Sequence, residues 1–143
     1  MKPLTLEPIG VVRSPWKDRE QAPRQGPEVG GEAVIEIDSQ WAASLEGLAP
    51  GKYVWVICFF DLAELPRHMV HPRGDQSRPE TGMFATRTPD RPNPLSLTLV
   101  EVRKRARNVL TVRGLDAVDG TPVLDIKPFV PGVDQPPPAQ RWG

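Results

Sequence analysis

Two arginines in a proline-rich segment are the side chains best suited to bind an anion. Arg87 and Arg91 lie within residues 82–94, which read Gly-Met-Phe-Ala-Thr-Arg-Thr-Pro-Asp-Arg-Pro-Asn-Pro. Each proline fixes its own backbone and favours an extended residue before it, so the segment has little freedom left to lose on binding. A guanidinium group can bond both oxygens of a carboxylate or phosphate. A surface connection with solvated arginines would have the same composition, so the local chemistry leaves both interpretations open.

A second segment carries carboxylates around a turn and a short strand. Asp116 and Asp119 precede Asp125 and Lys127 within residues 116–131. Asp119 is followed by glycine, which is typical of a turn, and an aspartate there often bonds its own backbone. Asp125 and Lys127 flank one residue, so a strand would place both on the same face. There they form either part of a site or an exposed ion pair that contributes about 0–1 kcal/mol.

Short strands separated by prolines and glycines must position these residues. The expected strands are residues 4–12, 31–37, 53–60, 95–104, 109–114 and 122–129. The second alternates, with Ala33, Ile35 and Ile37 on one face. The third is a continuous apolar run, typical of a strand buried on both faces. This pattern predicts an all-β sandwich or barrel.

One helix and one irregular segment complete the pattern. Asp38 or Ser39 can cap a helix that presents Trp41, Leu45 and Leu48 on one face and ends by residues 50–51. Residues 62–79 are expected to be irregular and to form a wall or lid over the site. His68 and His71 lie in that segment, but no cysteine or glutamate cluster completes a metal site, so no metal is expected.

Taken together, these pieces resemble the TsaA-like (YaeB-like) family. The matching segments appear in the family's order and span nearly the whole chain: residues 9–15, 23–25, 55–60, 82–94 and 115–131. Two positions depart from the family pattern, because Ser96 stands where a glycine is expected and Asp61 where some members carry histidine. The chain ends at Gly143, so it resembles a short, single-domain form of the family.

The resemblance implies a fold, a cofactor and a reaction. The implied fold is mainly β, a small β-barrel of about six to eight short strands with one short helix. The barrel domain would span residues 1–132, and residues 133–143 would form a Pro-rich tail. The implied activity is S-adenosyl-L-methionine-dependent N-methylation of threonylcarbamoyladenosine next to the tRNA anticodon. A homodimer is also implied, with the donor site near the subunit contact.

The resemblance also implies site residues. Those expected to bind the methyl donor are Pro23, Arg24, Gln25, Asp61, Leu62, Arg87, Leu97, Asp116, Ala117, Val118, Asp119 and Gly120. Arg91 and Asn93 are expected to bind the acceptor, with the basic cluster 103–107 as another contact for tRNA or its threonyl carboxylate. The accepting nitrogen is a poor nucleophile, which calls for a general base. Asp125 is the candidate base and Lys127 its partner.

Composition limits the alternatives. Eighteen acidic and eighteen basic side chains give a formal charge of zero, so no global charge attracts nucleic acid. Cys58 is the single cysteine and cannot form an intrachain disulfide, and no apolar run is long enough to span a bilayer. We therefore expect a cytoplasmic protein.

Three other functions stay open: a non-catalytic sensor of the donor, a methyltransferase for a different small acceptor, and a barrel that binds single-stranded nucleic acid. The third ranks last, because such binding needs exposed aromatic platforms and Trp55, Phe59 and Phe60 are expected to be buried.

Overall fold

Six antiparallel strands close into a barrel, which confirms the implied fold. The computed structural model describes residues 1–22 and 31–138. Its strands are β1 (Gly10–Arg13), β2 (Glu32–Ile37), β3 (Tyr53–Phe59), β4 (Met69–Val70), β5 (Thr81–Gly82), β6 (Leu95–Ala106), β7 (Val109–Arg113) and β8 (Pro122–Pro128). The barrel has the order β1-β2-β7-β6-β3-β8, and the pairing of β8 with β1 closes it. Strands β4 and β5 form a separate two-stranded sheet.

Aliphatic side chains from every barrel strand fill the interior. In β2 the buried residues are Ala33, Ile35 and Ile37, which confirms the predicted alternation. The other strands contribute Val12, Val54, Val56, Cys58, Val100, Val102, Leu110, Val112 and Val123. Each valine, leucine or isoleucine among them contributes about 1.5–3 kcal/mol when it is fully buried. The packed interior therefore gives a firm frame for the loops at the barrel ends.

The prediction that β3 is buried on both faces is wrong. Val54, Val56 and Cys58 point inward and are fully buried, whereas Tyr53 and Phe59 are exposed. The physical reason is closure, because a barrel wall is a single layer with only one face toward the core. The outward side chains stay apolar, so this strand gives the barrel an apolar outer surface.

The predicted helix is a 3₁₀ helix over Ser39–Leu45. Its cap is confirmed, since Asp38 Oδ1 accepts a hydrogen bond of 3.0 Å from the Gln40 amide. Three residues per turn bring Leu45 toward the core and leave Trp41 46% exposed, while Leu48 packs against the core from beyond the end of the helix. The predicted face, which assumed an α-helical period, was therefore wrong at Trp41.

Other boundaries differ at the chain ends. Strand β1 starts at Gly10 rather than Leu4, and residues 1–8 are exposed. Gly10 allows the close approach of β1 to β2, because a Cβ there would overlap the carbonyl oxygen of Glu36. A short helix, α1 (Pro131–Asp134), follows β8, so the predicted domain boundary after residue 132 falls inside it. That boundary stays a prediction.

The long connections meet at one end of the barrel. The last part of β1 pairs with the start of β8 through Val11 and Pro122. The end of β3 pairs with the start of β6 through Phe59 and Leu95. Residues 14–22, 60–94 and 114–121 therefore emerge together. The β6–β7 hairpin turn lies at the other end.

Candidate functional site

A cavity of about 880 Å³ lies among the long connections. Its size falls in the upper part of the range of about 300–1,000 Å³ that is usual for small-molecule sites. It brings together eight of the predicted site residues: Asp61, Leu62, Arg87, Arg91, Asn93, Leu97, Asp116 and Val118. Met69, Val70 and His71 also line it, so part of the 62–79 segment forms a wall as expected, but Met69–Val70 is a short strand where no regular structure was expected.

Threonine hydroxyls shape the loop that carries the two arginines. Thr86 Oγ1 donates to the carbonyl oxygen of Met83 at 2.9 Å and accepts from the Thr88 amide at 3.3 Å. Thr88 Oγ1 accepts from the Asp90 amide, also at 3.3 Å. The prolines predicted a stiff loop, but these hydroxyl contacts were missed because threonine has no distinctive local pattern.

Arg91 holds its own loop while keeping part of its guanidinium available. Its Nη1 donates to the carbonyl oxygens of Thr86 at 3.1 Å and Thr88 at 2.9 Å. Its Nε and Nη2 make no hydrogen bond to the described residues. Because Nη1 is fixed, the orientation of the remaining edge is fixed as well, which suits bidentate recognition of a carboxylate.

Arg87 leans along the start of β6. Its Nη1 donates to the carbonyl oxygen of Leu97 at 3.3 Å. Leu97 is 45% exposed, so it lies outside the packed core. Its side chain lies on the outer face of β6 and lines the cavity, where it offers an apolar surface to a flat ligand.

Asp116 lies in the cavity wall against a buried hydroxyl. Thr98 Oγ1 donates to Asp116 Oδ1 at 3.0 Å, and Thr98 is 5% exposed. A threonine among the inward residues of β6 is the signal that could have identified this contact, since buried hydroxyls need a partner. The site therefore places a held carboxylate between β6 and the 114–121 connection.

Cys58 lies beneath this wall and is chemically inert. Burial raises the pKa of its thiol to about 12; a hydrogen bond with Ser96 opposes the shift and the Asp116 charge adds to it. Ser96 Oγ also accepts the Cys58 amide at 3.1 Å, so the departure from the family's glycine fills a structural role. A thiol that stays protonated is not a nucleophile.

Asp119 is bound to the N-terminal segment instead of the main cavity. Its Oδ2 accepts from Lys17 Nζ at 3.2 Å and its Oδ1 from the Ser14 amide at 3.1 Å. The Lys17 hydrogen bond, followed by that of Ser14, holds the pKa of Asp119 below its usual value. Ala117 and Gly120 also lie outside the cavity lining, and the donor-binding roles of all three stay predictions.

Asp125 and Lys127 share a face of β8, as the alternation predicted. Lys127 Nζ lies 3.5 Å from Asp125 Oδ2, and the side chains of Lys127 and Asp125 are 66% and 49% exposed. They do not line the cavity. Asp125 pairs with Ile57 and Ile57 with Leu97, so Asp125 lies two strands from Leu97 on the outer face. Their catalytic roles stay predictions.

Other predicted residues lie elsewhere. Pro23, Arg24 and Gln25 fall outside the described residues. The basic cluster 103–107 lies at the hairpin end of β6, on the order of 30 Å from Leu95 at about 3.3 Å per residue. The cluster lies away from the cavity within one chain, and its contact with tRNA or the threonyl carboxylate stays a prediction.

Neither a metal-ligand cluster nor a membrane-spanning helix is found in the part of the chain that the structure describes. Among residues 1–22 and 31–138, no three His, Cys, Asp or Glu side chains come together as a possible metal site. Over the same residues, every helix is too short or too polar to cross a bilayer. His71 instead contacts the carbonyl oxygen of Arg78 at 2.8 Å and Glu80 at 3.5 Å.

Comparison with known proteins decides the family. The sequence model of a protein family, described as the tRNA-methyltransferase O N-terminal domain, matches residues 11–135 of this chain. The chain belongs to the tRNA-methyltransferase O family. The resemblance that the motifs indicated is thereby confirmed.

Relatives of this family differ in length. A probable S-adenosyl-L-methionine-binding protein of Methanothermobacter thermautotrophicus is 43% identical, and the match covers 92% of this chain and 93% of that protein. The tRNA (adenine(37)-N6)-methyltransferase of Escherichia coli is 34% identical, with 97% of this chain but only 63% of that protein covered. The crystal structure of TrmO superimposes with a TM-score of 0.77 at 33% identity, covering 93% of this chain and 60% of that one.

Proposed function

We propose that this chain is an S-adenosylmethionine-dependent methyltransferase that N-methylates threonylcarbamoyladenosine next to the tRNA anticodon. The observation that carries the proposal is one cavity lined by Arg87, Arg91 and Asp116 in a chain of the tRNA-methyltransferase O family. The E. coli relative is named for methylation of adenine 37 of tRNA. A cytoplasmic location is part of this proposal.

The cavity has the chemistry that the methyl donor requires. Arg87 can hold the carboxylate of the donor's amino-acid end through two parallel bonds. Asp116 can accept hydrogen bonds from the donor's ammonium or ribose hydroxyls. Phe60 and Leu97 offer apolar surface to the flat adenine. When bound, the donor supplies an electrophilic methyl group on a sulfonium.

Arg91 and Asn93 are suited to the acceptor. The threonyl group carries a carboxylate, and Arg91 presents the fixed edge formed by Nε and Nη2. Because methyl transfer requires the reacting atoms to approach within about 3–3.5 Å, catalysis depends mainly on such positioning. Arg91→Lys would keep the charge but lose both the loop contacts and the planar fork. It should therefore raise the KM for tRNA more than the Kd for the donor.

A homodimer is part of the proposal. Three apolar side chains are partly exposed on the outer face beside the cavity: Phe59 at 36%, Leu95 at 42% and Leu97 at 45%. A contiguous exposed apolar surface of this kind favours a protein contact. A second copy could also bring Asp125 and Lys127 to a cavity that they do not line within one chain. Sedimentation of Leu95→Asp should give a monomer if this face is the contact, and an unchanged dimer would exclude it.

Asp125 remains the proposed base. Asp125→Asn removes its capacity to accept a proton while preserving its shape. Turnover should fall by about 10²-fold or more, with the donor Kd within about twofold of wild type. A large loss of donor affinity with unchanged turnover at saturation would make Asp125 a binding residue.

Donor binding is the first experiment. Calorimetric titration with S-adenosylmethionine should show binding by wild type and a loss of roughly tenfold or more in Arg87→Ala. Arg103→Ala is the matched control, because Arg103 lies far along β6 from the cavity. Equal affinities in all three proteins would refute the assignment of Arg87.

A donor sensor without catalysis is the second candidate. It is favoured by the names of two archaeal relatives, both described as S-adenosyl-L-methionine-binding proteins. A sensor would bind the donor and leave it unconsumed with any tRNA. A methyltransferase for a different small acceptor would consume it only with that acceptor.

A further inference from the structure

One carboxylate joins three separate segments at the cavity. Arg19 donates to Asp90 through Nη1 to Oδ1 at 3.1 Å and Nη2 to Oδ2 at 3.4 Å. The Glu64 amide donates to the same Oδ1 at 2.8 Å. The Asp90 side chain is only 21% exposed, and that of Arg19 38%. We call these three residues the Asp90 clasp.

Each member of the Asp90 clasp belongs to the cavity lining. Arg19 comes from a turn that Asp18 fixes, since Asp18 Oδ1 accepts the amides of Glu20 at 3.0 Å and Gln21 at 3.1 Å. Glu64 follows the end of β3, and Asp90 immediately precedes Arg91. The clasp thus ties the N-terminal turn and the 60–64 segment to the arginine loop.

We infer that Asp90 is a positioning residue that holds the cavity in its ligand-binding form. The segments it joins are irregular connections, which lack the ladder hydrogen bonds that hold the barrel strands. Without the clasp they would have to be ordered when the ligand binds, and that entropy would be subtracted from affinity. Because the barrel core lies elsewhere, the loss should appear in ligand binding and leave global stability unchanged.

Graded substitutions separate this role from a general loss of structure. Asp90→Ala removes both acceptor oxygens and should weaken S-adenosylmethionine binding roughly tenfold. Asp90→Asn keeps one acceptor for the Glu64 amide and loses the charged pair, so its effect should be about threefold. Arg19→Ala should resemble Asp90→Asn, and the Arg19→Ala, Asp90→Ala double variant should be no weaker than Asp90→Ala alone.

A distant ion pair provides the matched control. Arg103 Nη1 lies 3.3 Å from Glu101 Oε2, with exposures of 44% and 23% that resemble those of the Arg19–Asp90 pair. Glu101→Gln should bind the donor like wild type. All variants should melt within about 2 °C of wild type, because the clasp joins irregular connections that can open locally while the barrel core stays folded.

Hydrogen exchange tests the clasp without any ligand. The Glu64 amide should exchange faster in Asp90→Ala than in wild type and stay protected in Asp90→Asn and Glu101→Gln. Unchanged exchange in Asp90→Ala would overturn the inference.

The inference rests on the proposed donor site, and calorimetry distinguishes the two failures. Donor binding by wild type that Asp90→Ala leaves unchanged would overturn the clasp while the site survives. Wild type that does not bind the donor would overturn both. A graded loss from Asp90→Asn to Asp90→Ala, with intact melting temperatures, is the result expected.

Discussion

The buried thiol of Cys58 should make the stability of this barrel depend on alkaline pH. Burial holds the pKa of this thiol at about 12 in the folded chain, against an ordinary value of 9.0. The unfolded chain therefore loses its thiol proton first. A raised pKa of this sign gives stability that is fully present below pH 9 and is lost as the pH rises toward 12.

The magnitude follows from the titration of the unfolded thiol. Between pH 8 and pH 10 it changes from mostly protonated to mostly ionised, while the folded thiol stays protonated. At about 1.36 kcal/mol per pKa unit, the contribution of Cys58 to the free energy of unfolding should fall by about 1.4 kcal/mol over this interval.

Urea unfolding of wild type and Cys58→Ala isolates this contribution. The alanine variant loses packing by an amount that does not depend on pH, and both proteins share every other titrating group. The difference between their unfolding free energies should therefore fall by about 1.4 kcal/mol from pH 8 to pH 10. A difference that stays constant would show that the thiol titrates alike in both states, which would refute its burial under the cavity wall.

Three further outcomes follow from single contacts. Gly10→Ala should cost about 1–3 kcal/mol in urea unfolding, because its Cβ would overlap the carbonyl of Glu36; a value near zero would contradict the close β1–β2 contact. Asp134→Ala removes the acceptor that lies 3.0 Å from the Trp55 indole nitrogen, so tryptophan emission should shift, and identical spectra would contradict the docking of α1. Asp119→Asn should weaken the pH dependence of the free energy of unfolding below about pH 4, because a carboxyl with a lowered pKa gives stability that is lost as the pH falls. Acid unfolding identical to that of wild type would contradict the pairing of Asp119 with Lys17.

Local patterns predicted the strands well because their information is local. The alternation of Ala33, Ile35 and Ile37 was correct, and the strands expected at residues 95–104 and 109–114 are found as β6 and β7. The face of Trp41 was wrong because a 3₁₀ period differs from an α-helical one by a fraction of a residue per turn. β3 was misjudged because an apolar run does not show whether its second face is buried or, as in the wall of a barrel, left partly exposed.

The site was predictable where a motif carried it and unpredictable where distant residues meet. Arg87 and Asp116 were expected and do line one cavity. The contact of Arg19 with Asp90 joins residues separated by 71 positions, and that of Thr98 with Asp116 by 18. The inward position of Thr98 shows that it needs a partner, but no local pattern encodes which distant residue that partner is, since the fold brings the pairs together.

Methyl transfer to tRNA tests the central proposal most directly. The chain should be incubated with methyl-labelled S-adenosylmethionine and tRNA that carries threonylcarbamoyladenosine, and with the same tRNA lacking that modification. Label is expected on the modified nucleoside alone, and the signal should be lost in Arg87→Ala. Donor binding without label on either tRNA would contradict the account and favour the sensor.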